Sequence, residues 1–85
     1  ASMVMQQRYA EADALYTQAI AANPNAIDAY LQRSVARREM GNAQGSQADA
    51  NTAVRLADAQ LKANPGNAKL YYQRGTGYRW LKAYP

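Results

Sequence analysis

The chain has 85 residues, of which ten are basic and six acidic, giving a net charge of +4, and it contains neither cysteine nor histidine. Taken alone, this composition excludes a disulfide framework, the usual zinc ligand sets and catalysis through a cysteine or histidine triad. Residues 1–58 carry five arginines and six acids, whereas residues 59–85 carry five cations and no acid, so the positive charge is concentrated at one end.

Residues that favour helices dominate the chain, and we expect no β-strand. A first helix is predicted over residues 9–22, and it stays open whether residues 3–6 belong to it. The helix ends at Asn23-Pro24 because the residue before a proline is pushed out of the α region. A second helix is predicted over residues 26–40, with Asn25 as its N-cap and Asp28 near the positive end of the helix dipole.

The second helix should end at Gly41, a residue suited to the left-handed conformation that follows many helices. Asn42 then caps a third helix over residues 43–63, which Asn64-Pro65 terminates. Asn67 caps a fourth helix over residues 68–83. Connections this short make successive helices antiparallel neighbours.

An internal repeat runs through these helices. Ala22-Asn23-Pro24 returns 41 positions later as Ala63-Asn64-Pro65, and the segment that begins at Tyr30 returns as the one that begins at Tyr71. A period of about 20–50 residues is typical of stacked supersecondary units.

Aromatic and small residues alternate at helical spacing near both ends of the chain, as Tyr9, Ala12, Tyr16, Ala19 and Pro24 and again as Tyr71, Gly75 and Tyr78. This pattern resembles the tetratricopeptide repeat, whose period is about 34 residues. In the middle of the chain Tyr30, Ser34 and Gly41 fit the pattern, whereas Arg37 replaces its second aromatic residue. The resemblance implies an all-α fold of antiparallel helix-turn-helix repeats in one domain. Residues 1–25 would end one repeat, residues 26–66 would form a full repeat, and residues 67–85 would supply the first helix of another.

The repeat of 41 residues is seven residues longer than the family period, and the third helix accommodates the additional residues. Asp58 stands where the pattern has proline, so the helix should continue unbroken for two more turns. It should then project about 10 Å beyond its neighbour and displace the last helix outward. Arg33 and Arg74 occupy leucine positions of the pattern, and we expect their stems to cover the groove while their charged groups stay in water.

Tetratricopeptide arrays bind peptides or partner helices on the concave surface made by the first helix of each repeat. The resemblance therefore implies exposed positions on the second and fourth helices, at Asp28, Leu31, Gln32, Val35, Arg38 and Glu39 and at Lys69, Tyr72, Gln73, Thr76, Arg79 and Trp80. We expect the peptide-binding residues to be Leu31, Val35, Arg38, Lys69, Tyr72, Thr76 and Arg79, with Lys69 attracting acidic ligands. The competing interpretation is that the apolar members of this set are ordinary helix packing.

The family's clamp for a C-terminal carboxylate is not expected, because glutamine stands at two of its three positions and only Lys69 fits. The sequence thus predicts a protein–protein interaction module that is not an enzyme and needs no cofactor. The last helix lacks a covering helix, which predicts either self-association as a homo-oligomer or membership of a longer array.

Two other functions stay open. The aromatic residues of the basic C-terminal quarter (Tyr71, Tyr72, Tyr78, Trp80 and Tyr84) suit the stacking of nucleic-acid bases, although Tyr71 and Tyr78 are better explained as repeat packing. The module could also serve only as a spacer or assembly unit. No apolar run approaches the length of a membrane span, so we expect a soluble chain, with the cytoplasm slightly favoured and the compartment otherwise open.

Overall fold

The computed structural model describes residues 3–82, which form four α-helices and no strand. The helices are α1 (Met3–Ala22), α2 (Ile27–Glu39), α3 (Ala43–Ala63) and α4 (Ala68–Lys82). The predicted all-α class and the four helices are confirmed, and residues 3–6 belong to α1. Ala83, the predicted end of the last helix, and Tyr84 lie outside the described residues.

The helix ends follow the predicted capping residues with one exception. Gly41 adopts the left-handed conformation with φ of 83°, and the side chain of Asn42 accepts a hydrogen bond from the Gly45 amide at 2.9 Å. The Asn67 side chain accepts from the Lys69 amide at 3.0 Å. These contacts satisfy amide groups that a helix start leaves without partners.

The prediction that Asn25 is an N-cap is wrong. Helix α2 begins one residue later than predicted, so Ala26 occupies the N-cap position and no side chain caps the helix. The amide of Asn25 instead donates to the side chain of Asn23 at 3.1 Å, inside the turn. The position equivalent to the cap Asn67, 41 residues earlier, is Ala26, so Asn25 lies one residue too early to cap α2.

Helix α3 passes through Asp58 without a break, as predicted from the additional seven residues. It has 21 residues against 13 in α2, so it is longer by eight residues, or about 12 Å. The outward displacement of α4 stays a prediction.

Each helix packs on the next in the sequence, and α2 also contacts α4, whereas α1 contacts α2 alone among the described helices. One core cluster joins α2, α3 and α4 through Ile27, Leu31, Ala53, Ala57, Leu61 and Leu70. Tyr30, Leu56 and Trp80 are partly buried against this cluster. The core cluster is therefore built by α2, α3 and α4 without a residue of α1.

Small residues allow the helices to approach closely at two crossings. Between α2 and α3, the Ser34 hydroxyl lies 2.8 Å from the carbonyl oxygen of Ser46 and 2.9 Å from its hydroxyl, and both residues are almost fully buried. Between α3 and α4, a Cβ added to Gly77 would lie 2.7 Å from Val54 Cγ2, closer than real contacts allow. Close approach of this kind requires side chains of minimal volume at the crossing.

The expectation that the Arg33 charge stays in water is wrong. Its Nε and Nη2 donate to the two carboxylate oxygens of Asp49 at 3.0 and 2.7 Å, and Asp49 is only 3% exposed. Arg37 Nη1 lies 3.3 Å from the same carboxylate. Hydrogen bonding to Asp49 raises the pKa of Arg33 above its usual value, against the opposing effect of burial.

Two further contacts of these arginines tie α1 to α2. Arg33 Nη1 donates to the Thr17 hydroxyl at 3.1 Å, and Arg37 Nε donates to Asp13 Oδ1 at 3.2 Å. The charged groups of α2 therefore bridge three helices. Arg74 is also not left to water alone, because its Nη1 donates to Asp58 Oδ1 at 3.0 Å on the partly exposed surface.

The internal repeat is visible in equivalent contacts. The Tyr30 hydroxyl donates to the carbonyl oxygen of Pro24 at 3.0 Å, and 41 residues later the Tyr71 hydroxyl donates to that of Pro65 at 2.9 Å. An arginine lies over each tyrosine ring, at 5.7 Å from the Tyr30 centroid and 5.3 Å from the Tyr71 centroid. The two copies thus build the same turn and the same helix start, which establishes a repeat-like helical fold.

Candidate functional site

Helices α2 and α4 contact each other and share one surface, which contains the predicted peptide-binding residues except Leu31. At one end, Gln73 Nε2 donates to Asp28 Oδ1 at 2.8 Å and Lys69 Nζ lies 3.9 Å from Asp28 Oδ2. The Lys69 and Asp28 side chains are 72% and 65% exposed. Solvent screening makes such an ion pair weak, so Lys69 stays available to a ligand.

The other end of the surface is held by an aromatic contact. The guanidinium carbon of Arg38 lies 4.6 Å from the centre of the Trp80 ring, a distance suited to a cation–π interaction. Arg38 Nη2 also lies 3.4 Å from the carboxylate of Glu39. Both Arg38 and Trp80 are half-buried, and Trp80 packs against the core cluster.

The predicted site residues differ in exposure. Lys69, Tyr72 and Arg79 are exposed, whereas Val35, Arg38 and Thr76 are half-buried. The remaining member, Leu31, is 5% exposed in the core cluster. The predicted exposure of Leu31 is therefore wrong, because α3 and α4 both pack on that side of α2.

The predicted exposure of Gln73 is wrong as well, since this residue is 6% exposed. A buried amide requires a hydrogen-bonding partner, which Asp28 supplies. For Leu31 the sequence contained the missed signal: Ile27 precedes it by four residues, the spacing of an apolar stripe that faces a core.

The exposed residues of α4 form one strip. Lys69, Tyr72, Thr76 and Arg79 are spaced by three, four and three residues, which places them on the same side of a helix. Tyr72 is 72% exposed, and the Thr76 hydroxyl donates to its carbonyl oxygen at 3.0 Å. The strip therefore offers an aromatic ring between two cations.

A cleft of about 320 Å³ opens at the N-terminal ends of α2 and α4. Ile27 and Leu70 are its apolar lining residues, and Asp28, Lys69 and Gln73 are polar ones. Sequence reasoning did not find this cleft. A usable signal was present, because Asp28 and Lys69 occupy equivalent positions of the 41-residue repeat and carry opposite charges.

The comparisons with known proteins do not assign the chain to a family. No family model matches the sequence, and no solved structure is significantly similar to the chain. The resemblance to the tetratricopeptide repeat therefore rests on the motif residues alone.

The cations of the C-terminal quarter are unevenly compensated. Lys69 and Arg74 face Asp28 and Asp58, whereas Lys62, Arg79 and Lys82 have no carboxylate within 4.0 Å among the described residues. Among the four helices of residues 3–82, none is long and apolar enough to cross a membrane. No group of three or more carboxylates within residues 3–82 is placed to hold a metal ion.

Proposed function

We propose that this chain is a tetratricopeptide-like interaction module without catalytic activity, which binds a peptide or a partner helix on the surface shared by α2 and α4. The motif residues support the solenoid arrangement, and contacts between α2 and α4 agree with it because first helices of successive repeats are neighbours in such arrays. The binding residues are Val35, Arg38, Lys69, Tyr72, Thr76 and Arg79, with Leu31 as part of the supporting core.

The exposure of Tyr72 is the observation that carries the proposal. Its ring stays 72% exposed although neighbouring side chains of α4 are buried. Tyrosine and arginine are the residue types that most often dominate binding energy at protein interfaces. Tyr72 and Arg79 lie two helical turns apart, which suits a ligand that lies along the strip.

The charge of this surface favours an acidic ligand. Lys69 and Arg79 are exposed, and residues 59–85 contain no acid. The cleft beside Lys69 offers apolar lining from Ile27 and Leu70 for a side chain of the ligand. We therefore expect preferred peptides to combine a carboxylate with an apolar residue.

Peptide selection from a displayed random library against the intact chain tests the proposal. Selected peptides should lose at least about tenfold in affinity for Tyr72→Ala and for Arg79→Glu. Tyr78→Ala is the matched control, because Tyr78 is a half-exposed ring of the same helix outside the strip. Equal binding to Tyr72→Ala and the parent chain would refute this site.

Nucleic-acid binding remains the second candidate because Tyr71, Tyr72 and Tyr78 are all exposed in a basic region. It is the weaker one, since two of the five cations there already face carboxylates. A titration with an oligonucleotide at two salt concentrations separates the candidates: phosphate contacts would make the affinity fall steeply with ionic strength.

A further inference from the structure

The cleft at the N-terminal ends of α2 and α4 has one negative and one positive wall. Asp28 of α2 and Lys69 of α4 are the two charged residues that line it. They occupy equivalent positions of the 41-residue repeat, so each lies in the first turn of its helix. Lys69 Nζ lies 3.9 Å from Asp28 Oδ2, and both side chains are mostly exposed. All lining residues lie between Asn25 and Gln73, in the interior of the sequence.

Gln73 gives this cleft a buried acceptor that has no partner. The residue lines the cleft and is only 6% exposed. Its Nε2 donates to Asp28 Oδ1 at 2.8 Å, which fixes the orientation of the amide, because only its nitrogen can donate to a carboxylate. The Oε1 atom has no hydrogen-bond donor within residues 3–82. A buried acceptor without a protein donor marks a place where a bound group can supply one.

A ligand with a single charge does not suit this cleft. An anion that pairs with Lys69 meets the carboxylate of Asp28 beside it, and a cation that pairs with Asp28 meets the ammonium group of Lys69. A molecule that carries both charges close together avoids both repulsions. The ion pair between the two residues is exposed and therefore weak, so a ligand can replace it with two pairs of its own.

We propose that the cleft binds a free α-amino acid in its zwitterionic form. The α-ammonium group donates to the Asp28 carboxylate and to Gln73 Oε1, while the α-carboxylate accepts from the Lys69 ammonium group. Ile27 and Leu70 supply the apolar part of the lining for the side chain. The volume of about 320 Å³ lies at the lower end of the range of small-molecule sites, about 300–1,000 Å³, as expected for so small a ligand.

This site goes beyond the proposed peptide binding, because of the strip on α4 it needs only Lys69. A bound amino acid occupies Lys69 and the cleft, so it should compete with a peptide that uses both. L-leucine is a suitable probe, with about nine non-hydrogen atoms, and a dissociation constant on the order of 1 mM is within reach of a ligand of that size.

The arrangement predicts which groups of the ligand are required. N-acetyl-leucine lacks the ammonium group and its two charge-assisted hydrogen bonds, so it should bind at least about tenfold more weakly than leucine. Leucinamide lacks the carboxylate. Because Lys69 is exposed, the loss should be smaller there, at about threefold or more.

Titration of the intact, isotope-labelled chain with L-leucine, followed by nuclear magnetic resonance, tests the site. The side-chain amide signal of Gln73 and the backbone amide signals of Asp28 and Lys69 should shift together and saturate. The signal of Gly77, which lies at the crossing of α4 with α3, should change little. Parallel titrations with N-acetyl-leucine and leucinamide give the two comparisons of affinity.

Three variants assign the contacts. Asp28→Asn and Lys69→Met each remove the charge of a mostly exposed side chain, and Gln73→Met removes the buried acceptor with little change of shape. All three should keep a cooperative melt. Leucine binding should weaken about tenfold for Asp28→Asn and Gln73→Met, and about threefold for Lys69→Met. Tyr78→Ala is the matched control, since Tyr78 does not line the cleft, and it should bind leucine as the parent chain does.

Any of three results would overturn the proposal: no shift at about 20 mM leucine, N-acetyl-leucine that binds as tightly as leucine, or unchanged affinity in Asp28→Asn. The last result decides even where Gln73→Met does not fold, because the Asp28 side chain is mostly exposed. Tyr72→Ala separates this site from the proposed peptide site, since it should weaken peptide binding and leave leucine binding intact.

Discussion

Removal of the Asp49 carboxylate should destabilise the chain more than any other change of a single charge. Asp49 is 3% exposed and is the shared acceptor of Arg33 and Arg37, whose side chains are 13% and 23% exposed. Loss of one partner of a buried pair costs about 3–5 kcal/mol, because the remaining charge is left uncompensated. Water reaches both guanidinium groups, so the lower end of that range applies, and we expect Asp49→Ala to cost about 3 kcal/mol.

For a chain of this size, about 3 kcal/mol corresponds to a fall in melting temperature of roughly 12–24 °C. Far-UV circular dichroism with urea and thermal melts measures it. Asp58→Ala is the matched control, since it also removes a carboxylate from α3 that pairs with an arginine, but a partly exposed one. If Asp49→Ala lost less than about 1 kcal/mol, or no more than Asp58→Ala, this account of the network would be refuted.

The double replacement Arg33→Met with Asp49→Leu gives a second check. Replacing both members of a buried pair by apolar residues is often nearly neutral, so the double variant should be more stable than Asp49→Ala.

The raised pKa of Arg33 determines how its contribution to stability depends on pH. The contribution is fully present below the unfolded-state pKa and is lost only as the pH rises through the folded-state value. The contribution of Arg33 to stability should therefore not vary between pH 6 and pH 9, because even pH 9 lies more than three units below the ordinary arginine pKa.

Further predictions concern the glycines and the buried serine of α2. Gly75→Ala should stabilise by about 0.5–1 kcal/mol, because it fills open space in a helix interior, whereas Gly77→Ala should destabilise by about 1–3 kcal/mol through its clash with Val54. Urea melts of the two variants should thus move in opposite directions. Gly41→Ala should cost about 1 kcal/mol because of its positive φ, measured by the same melts. Ser34→Ala should lower the free energy of unfolding by about 1–2 kcal/mol, because the Ser46 hydroxyl loses one hydrogen-bonding partner. A Ser34→Cys variant more stable than the parent chain would contradict this reasoning.

The helices were predictable because their signals are local. Proline after asparagine, Gly41 and the capping side chains of Asn42 and Asn67 act within a few residues, and the structure has them as predicted. The prediction for Asn25 failed because this residue lies one position before the N-cap: Ala26, not Asn25, corresponds to the cap Asn67 in the repeat.

The charges of α2 were not predictable from one helix alone. The sequence of α2 predicts Arg33 as a surface residue. Its partner Asp49 lies 16 residues later, on α3, and only the packing of the two helices brings them together. The predicted exposure of Leu31 was wrong for the same reason, because its burial depends on two other helices that pack on α2. Residue type fixes what a side chain can bind, whereas the packing of distant segments decides whether water or protein supplies the partner.

Helix α1 contacts only α2, and none of its side chains from Val4 to Ala22 is buried. In stacked repeats, stability is approximately a sum of the units and the interfaces between neighbours. The α1 unit adds no buried side chain to the core and is tied to α2 by polar bonds of Gln6, Asp13 and Thr17. Its amide hydrogens should exchange through local opening at a lower free energy than those of α3, so the chain would lose its first helix before its core unfolds.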